Sequence, residues 1–134
     1  MTLRIRDIEV QRGLALAPME GVTDVSFRRL VRAVGGCGLY VTEFIPARGL
    51  VEDHAAVRRM AELDDDEHPV VIQVFGRDPS LLADGARVAQ DLGADLVDLN
   101  MGCPSKKVCA HSGGSALMKE PDLVRDIVRA MRAA

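Results

Sequence analysis

The hydrophobic positions of this chain fall into four short runs that are separated by longer polar and helix-like stretches. The runs are rich in Val, Leu and Ile and cover residues 14–17, 39–42, 70–74 and 96–99. Continuous rather than alternating apolar residues are typical of strands that are buried on both faces of a parallel sheet. The pattern therefore predicts four parallel strands.

The stretch after the first run has the periodicity of an amphipathic helix. Thr23 or Asp24 can cap its amino end, and Gly35 and Gly36 are expected to end it. Its apolar residues recur at i, i+3, i+4 and i+7 and are Phe27, Leu30, Val31 and Val34. This spacing predicts one apolar face that packs against the sheet.

Three further helices are predicted after the other runs. One covers about 47–60, one begins at Asp78 and Pro79 and stops at Gly93, and the last begins near Pro121. The apolar faces of the last two helices contain Leu82, Ala86, Ala89, Val124, Ile127, Val128 and Met131. The acidic run 64–67 is interpreted as a solvated loop before the third strand, which Pro69 opens.

The order of strands and helices is a β/α repeat. Strand starts at residues 14, 39, 70 and 96 are spaced by 25, 31 and 26 residues. Parallel strands need crossover connections, and such folds place their chemistry in the loops that follow the carboxyl ends of the strands. The loops expected to carry function are 18–24, 43–49, 76–78 and 100–114.

Length, composition and cysteine content indicate which broad class of protein this chain belongs to. The chain has 134 residues, 48% hydrophobic and 28% charged, with a formal net charge of −3, which is typical of one soluble domain with its own core. Three cysteines, an odd number, favour a reducing compartment. No apolar run approaches the roughly 20 residues of a membrane span, and the charged start is unlike a signal peptide. We therefore expect a cytoplasmic protein without a membrane segment.

The sequence lacks several short motifs that mark common phosphate and metal sites. The sequence contains no G-x-G-x-x-G fingerprint and no Walker phosphate loop. It also lacks the HExxH and CxxC spacings of common metal sites, so no metal is predicted.

The loop after the fourth run contains the most informative segment, NMGCPSKK at 100–107. Cys103 lies there between a glycine and a proline, just after a strand end. It can be a nucleophile, a proton donor or simply a small buried apolar residue. A nucleophile would need a histidine partner, for which His54, His68 and His111 are the candidates. A proton donor needs only a thiol that stays protonated, as one with the reference pKa of about 8.5 does at neutral pH.

Other residues at strand ends are suited to holding a flat polar ligand. Pro18 and Met19 end the first run, where backbone groups could meet a heteroaromatic ring. Gln73 is an amide in an apolar run, and its partner is either such a ring or the backbone of a neighbouring strand. Asn100 can pair with the edge of a nucleobase, whereas Glu43 is interpreted as a structural hydrogen-bond acceptor.

These segments resemble, in order, those of the tRNA-dihydrouridine synthases, which are FMN-dependent (β/α)₈ enzymes, and most closely their bacterial B-like branch. The matching segments are APMEGVTD at 17–24, FR at 27–28, TE at 42–43, PV at 69–70 with Gln73 and Gly76, DLNMGCP at 98–104, KKV at 106–108 and GSAL at 114–117. The run at 100–107 argues against another FMN barrel, such as a dihydroorotate dehydrogenase relative.

The resemblance implies an activity and a role for each site residue. Reduced FMN would deliver hydride to C6 of a tRNA uridine, NADPH would be the reductant, and Cys103 would protonate C5. The flavin contacts of the family correspond to Pro18, Met19, Glu20 and Gln73, and Asn100 corresponds to a residue that faces the uracil.

The resemblance also implies that residues 1–134 hold strands one to four of a TIM barrel, because a complete (β/α)₈ barrel typically needs about 250 residues. The other four units and a carboxyl-terminal helical domain that binds tRNA would lie outside this sequence. Two hypotheses follow. One is the amino-terminal half of a dihydrouridine synthase, and the other is a catalytically incompetent half-barrel that self-associates or needs a complementary partner chain.

Overall fold

Four parallel strands lie in chain order at the centre of the computed structural model, which describes residues 2–110 and 113–134. A two-stranded antiparallel hairpin precedes them. The strands are β1 (Leu3–Ile5) and β2 (Ile8–Val10) of the hairpin, then β3 (Ala15–Leu16), β4 (Leu39–Pro46), β5 (Val70–Phe75) and β6 (Leu96–Leu99) of the parallel sheet. The predicted α/β class with four β/α units is confirmed, whereas no element was predicted before residue 14.

Helices connect the parallel strands. They are α1 (Val25–Val34), α2 (Ala47–Val51), α3 (Ala55–Met60), α4 (Pro79–Asp91), α5 (Lys106–Cys109) and α6 (Pro121–Ala133), with 3₁₀ turns at Gln11–Gly13 and Gly114–Lys119. The single helix predicted over 47–60 is wrong, since the chain forms α2 and α3 instead. Asp53 interrupts it with a φ of 55°, a left-handed conformation that no helix can continue. No helix of the described part of the chain is long and apolar enough to span a lipid bilayer.

The apolar core lies on both faces of the sheet. On one face, Ile72 and Val74 of β5 pack with Leu82 of α4 and Ile127 of α6. On the other face, Val10 of the hairpin packs with a smaller group, Leu39, Val41 and Val71. The central strands β4 and β5 are therefore buried on both faces, as their continuous apolar sequences predicted.

Local hydrogen bonds fix where two of the helices begin. The Asp24 carboxylate accepts a hydrogen bond from the Phe27 backbone N–H at 2.8 Å and caps α1. The Asp78 carboxylate accepts from the N–H groups of Ser80 and Leu81 and caps α4. Both predicted caps are confirmed. They place the loops 18–24 and 76–78 at the carboxyl edge of the sheet.

The packing of α1 differs from the prediction. Leu30 and Val34, two of its four predicted apolar-face residues, are 60% and 80% exposed. The helix instead buries Arg28 completely, and this side chain forms an ion pair with the equally buried Glu67, with Nε at 2.5 Å from Oε1. The interpretation of the acidic run as a solvated loop is therefore wrong at Glu67.

Asp64 and Asp66 of the acidic run make ion pairs with arginines of α1 at the surface. The Asp64 carboxylate accepts hydrogen bonds from Arg29 and Arg32 of α1. The hydrogen bond from Arg29 and its positive charge hold the pKa of Asp64 below the ordinary value of 3.8. In the unfolded chain this carboxyl group binds protons more readily than in the folded protein.

We therefore expect Asp64→Asn to lower stability in a manner that depends on pH. The wild-type advantage is fully present above about pH 4 and disappears as the pH falls through the lowered pKa of the folded state. Urea unfolding of both proteins at about pH 7 and about pH 3 measures the difference. Asp65→Asn, at an exposed neighbour, is the control. A stability difference of the same size at both pH values would contradict the assignment.

Candidate active site

The carboxyl ends of the parallel strands border a cavity of about 420 Å³. Its walls include Pro18 after β3, Phe44 of β4, Gln73 of β5, and Asn100 and Cys103 after β6. Four of the six site residues expected from the sequence therefore share one cavity. They come from three different loops or strands, which the parallel order of the sheet brings to one edge.

The loop after β3 is a tight turn that the protein holds from two sides. The Met19 carbonyl accepts hydrogen bonds from the N–H groups of Val22 and Thr23, both at 3.1 Å, and its own N–H donates to Thr23 Oγ1 at 3.0 Å. The Gly21 N–H donates to the buried Glu43 carboxylate of β4. Glu43 is thus a structural acceptor, as expected.

Two residues of this loop lie apart from the Cys103 cavity. Glu20 lines a second cavity of about 650 Å³, which lies between α2, α3 and the start of α4 and shares Phe44 with the first. Met19 is 37% exposed beside Pro18. The structure therefore brings Pro18, but not Glu20, next to Gln73, Asn100 and Cys103.

Gln73 makes hydrogen bonds with two side chains of the neighbouring strand and the loop that follows it. Its Nε2 donates to Asp98 Oδ2 at 2.5 Å, and its Oε1 accepts from Asn100 Nδ2 at 2.9 Å. Its partners are thus side chains and not the strand backbone. An amide has two N–H groups and two lone pairs, and among the described residues one of each on Gln73 has no partner and could meet a ligand.

Asn100 shapes the turn that carries Cys103. Its Oδ1 accepts hydrogen bonds from the N–H groups of Gly102 at 3.2 Å and Cys103 at 3.0 Å. The side chain is buried, so these bonds are sheltered from water. The turn places the half-buried Cys103 on the wall of the cavity, beside Asn100 and Gln73.

The candidate histidines do not reach Cys103. His68 Nδ1 lies 2.7 Å from Asp95 Oδ2 at the amino end of the sheet, and His54 Nε2 lies 3.2 Å from Glu52 Oε2 between α2 and α3. His111 lies outside the described residues. Among the described residues, the nucleophile interpretation therefore has no base at Cys103, whereas a proton donor needs none.

Gly114 packs directly against the Cys103 turn. The Ser115 N–H donates to the Cys103 carbonyl at 3.0 Å, and Gly114 has a φ of 56°. A Cβ at Gly114 would lie 2.6 Å from that carbonyl oxygen and 2.8 Å from Cγ1 of Val108. Only glycine fits at this position.

We therefore expect Gly114→Ala to destabilise the protein more than a backbone penalty alone would. Gly21→Ala is the matched control, because Gly21 also has a positive φ, 70°, but a Cβ there meets no atom within 4 Å. The steric overlap should add about 1–3 kcal/mol to the loss of unfolding free energy, measured with urea. Equal losses of unfolding free energy in the two variants would show that the Cys103 turn moves to accommodate the added Cβ at no cost.

Sequence reasoning assigned no role to five other residues that line this cavity, Phe44, Asp98, Leu99, Met101 and Gly102. Asp98 lies two positions before Asn100, so the two share a face of the chain as it leaves β6. In the parallel register Asp98 lies opposite Gln73. That pairing indicates the contact between Gln73 and Asp98, but it can be used only when the register of β5 and β6 is known.

The chain is similar to known proteins along nearly its whole length. The family model described as dihydrouridine synthase matches residues 15–134. The chain is 45% identical over 133 residues to a tRNA-dihydrouridine synthase B of Pseudomonas syringae pv. tomato, and 40% identical over 129 residues to a probable tRNA-dihydrouridine synthase of Rickettsia bellii. These alignments cover 98% and 96% of this chain. The chain spans 39% of the length of each of these two curated relatives.

Proposed function

The chain belongs to the dihydrouridine synthase family, and from that premise we propose that it carries the proton donor of an oxidoreductase that reduces a uridine in tRNA to 5,6-dihydrouridine. The observation that carries the proposal is the shared cavity of Pro18, Gln73, Asn100 and Cys103. The amides and the apolar wall suit the binding of a flat ring and a nucleobase, and the thiol can supply the proton of a reduction whose hydride would come from a bound flavin.

The cavity has properties that suit a flavin. Its volume of about 420 Å³ lies within the range of small-molecule sites. Gln73 has one N–H and one lone pair left for a ring with adjacent acceptor and donor atoms. We propose that Pro18 and Gln73 border FMN directly, and that Met19 and Glu20 contact it from the loop beside the cavity.

When bound, reduced FMN would supply the hydride for C6 of the uracil, and NADPH would be the source of its electrons. Cys103 donates the thiol proton to C5, so that the C5–C6 double bond becomes a single bond. Asn100 has one N–H that no hydrogen bond among the described residues uses, and this group is suited to a uracil carbonyl. The bonds from Asn100 to the turn hold the thiol beside the base.

For the whole protein we propose a (β/α)₈ barrel in which residues 1–134 provide strands one to four, with tRNA as the partner. A C-terminal helical domain would hold the tRNA. A proton-donating thiol must stay reduced, and all three cysteines are free, so we place the enzyme in the cytoplasm.

A second candidate function is a half-barrel that becomes active only with a partner. Two features favour it, the exposed apolar residues Leu30 and Val34 of α1 and the outer edges of β3 and β6, which pair with no other strand of the described residues. Such surfaces promote association with a complementary chain or with a second copy.

Gel filtration of the purified chain after incubation with FMN tests the proposal. We expect flavin absorbance to co-elute with the protein at the monomer position, and Gln73→Ala to reduce the retained flavin. Complete loss of flavin, together with elution as a dimer or aggregate, would overturn independent flavin binding and leave the half-barrel that needs a partner.

A further inference from the structure

Three polar side chains form a continuous chain of hydrogen bonds that ends at the backbone of Cys103. Gln73 donates to Asp98, Asn100 donates to Gln73, and the Cys103 N–H donates to Asn100 Oδ1. Gln73 and Asn100 are each 7% exposed, whereas Asp98 is exposed, so the chain of hydrogen bonds runs from the protein surface to two buried amides.

The direction of this chain depends on Asp98. An ionised carboxylate can only accept hydrogen bonds, so Gln73 must turn its Nε2 toward Asp98 and its Oε1 toward Asn100. Asn100 must then point its Nδ2 toward Gln73, which leaves Oδ1 for the backbone N–H of Cys103. If either amide flipped, two donors or two acceptors would face each other.

We propose that Asp98 is a positioning residue that fixes the amide orientations of Gln73 and Asn100 and thereby the turn that carries Cys103. This proposal rests on the proposed function, in which Cys103 is the proton donor and Gln73 borders FMN. Because the orientation of Gln73 is fixed, the donor and acceptor that it offers to a ring in the cavity are fixed as well. Asp98 therefore acts on both the proton donor and the flavin side of the site without touching the reacting atoms.

The hydrogen bond between the side chains at positions 73 and 98 can be tested by exchanging its donor and its acceptor. Gln73→Glu alone places two carboxylates against each other and breaks the chain. In the double variant Gln73→Glu with Asp98→Asn, the new amide at position 98 can donate to one oxygen of the new carboxylate at position 73. The other oxygen of that carboxylate can still accept from Asn100. A role that depended only on side-chain volume would not predict this rescue.

The measurement is amide hydrogen exchange of Cys103, followed by NMR in the 134-residue chain. We expect Asp98→Ala and Gln73→Glu each to speed exchange by at least about fivefold, because the partly buried hydrogen bond from the Cys103 N–H to Asn100 loses its support. The double variant should return to within about twofold of the wild type. Asp91→Ala, at the exposed end of α4, should leave the rate unchanged, and the Val74 amide in the core reports global unfolding.

The result that would overturn the proposal is unchanged Cys103 exchange in Asp98→Ala, or a double variant that exchanges as fast as Gln73→Glu. FMN retention, measured separately on the same proteins, distinguishes this failure from failure of the proposed function. If exchange responds as expected but the wild type retains no FMN, the positioning role stands and the flavin assignment fails. If FMN is retained and exchange does not respond, the positioning role alone fails.

Discussion

Cys103→Ala is expected to abolish reduction of tRNA uridine while the protein still retains FMN. Loss of a general acid typically costs about 10²–10⁴-fold in rate, and no histidine of the described residues lies at the cavity to replace the thiol. The backbone N–H of residue 103, which Asn100 binds, is retained in the variant. The variant should therefore keep the surface that binds FMN but lack the thiol proton.

The assay can use a chimera in which this chain replaces the matching segment of the Pseudomonas syringae relative, so that the whole length of the relatives is represented. Dihydrouridine is measured in tRNA after incubation with NADPH. Cys37→Ala is the control, because Cys37 lies before β4 and away from the cavity. Turnover by Cys103→Ala at the rate of this control would exclude Cys103 as the proton donor.

Breaking the buried ion pair between Arg28 and Glu67 is expected to have the largest effect on stability. Both side chains are 0% exposed, and Arg28 also donates to the carbonyl oxygens of Thr23 and Glu62. Glu67→Gln would leave the guanidinium without its counter-charge, at a cost of about 3–5 kcal/mol. Because Thr23 also binds Met19, this loss should loosen the loop after β3 as well.

Urea unfolding of Glu67→Gln measures the cost. Arg58→Ala is the matched control, since Arg58 forms an ion pair with Asp53 but is 44% exposed, and it should cost no more than about 1 kcal/mol. The combined variant Arg28→Met with Glu67→Leu should recover much of the loss, because it removes both buried charges. A loss below about 1 kcal/mol in Glu67→Gln would show that the pair contributes little.

The features that were predicted correctly depend on neighbours in the sequence. The caps Asp24 and Asp78 bind backbone groups two or three residues away, and the strand at 96–99 matches β6. The buried pair could not be predicted in this way, since Arg28 and Glu67 are 39 positions apart. A charged run in sequence does not show which of its members has a buried partner.

At the candidate site, too, features formed by sequence neighbours were predicted, whereas contacts between distant residues were not. Asn100 and Cys103 are close in sequence, and their motif located the turn correctly at the end of a strand. The contact of Gln73 with Asp98 depends on the register of β5 and β6, which no local pattern encodes. The exposure of Leu30 and Val34 likewise depends on what packs against α1 in three dimensions, and periodicity alone cannot show that.

We propose that the loops of this chain provide the proton donor and one side of the flavin site of a tRNA uridine reductase. The most direct measurement is the dihydrouridine content of tRNA after incubation with FMN, NADPH and the chimera that contains this chain. We expect dihydrouridine with the wild-type chain and none with Cys103→Ala. A folded chimera that retains FMN but forms no dihydrouridine would contradict this proposal.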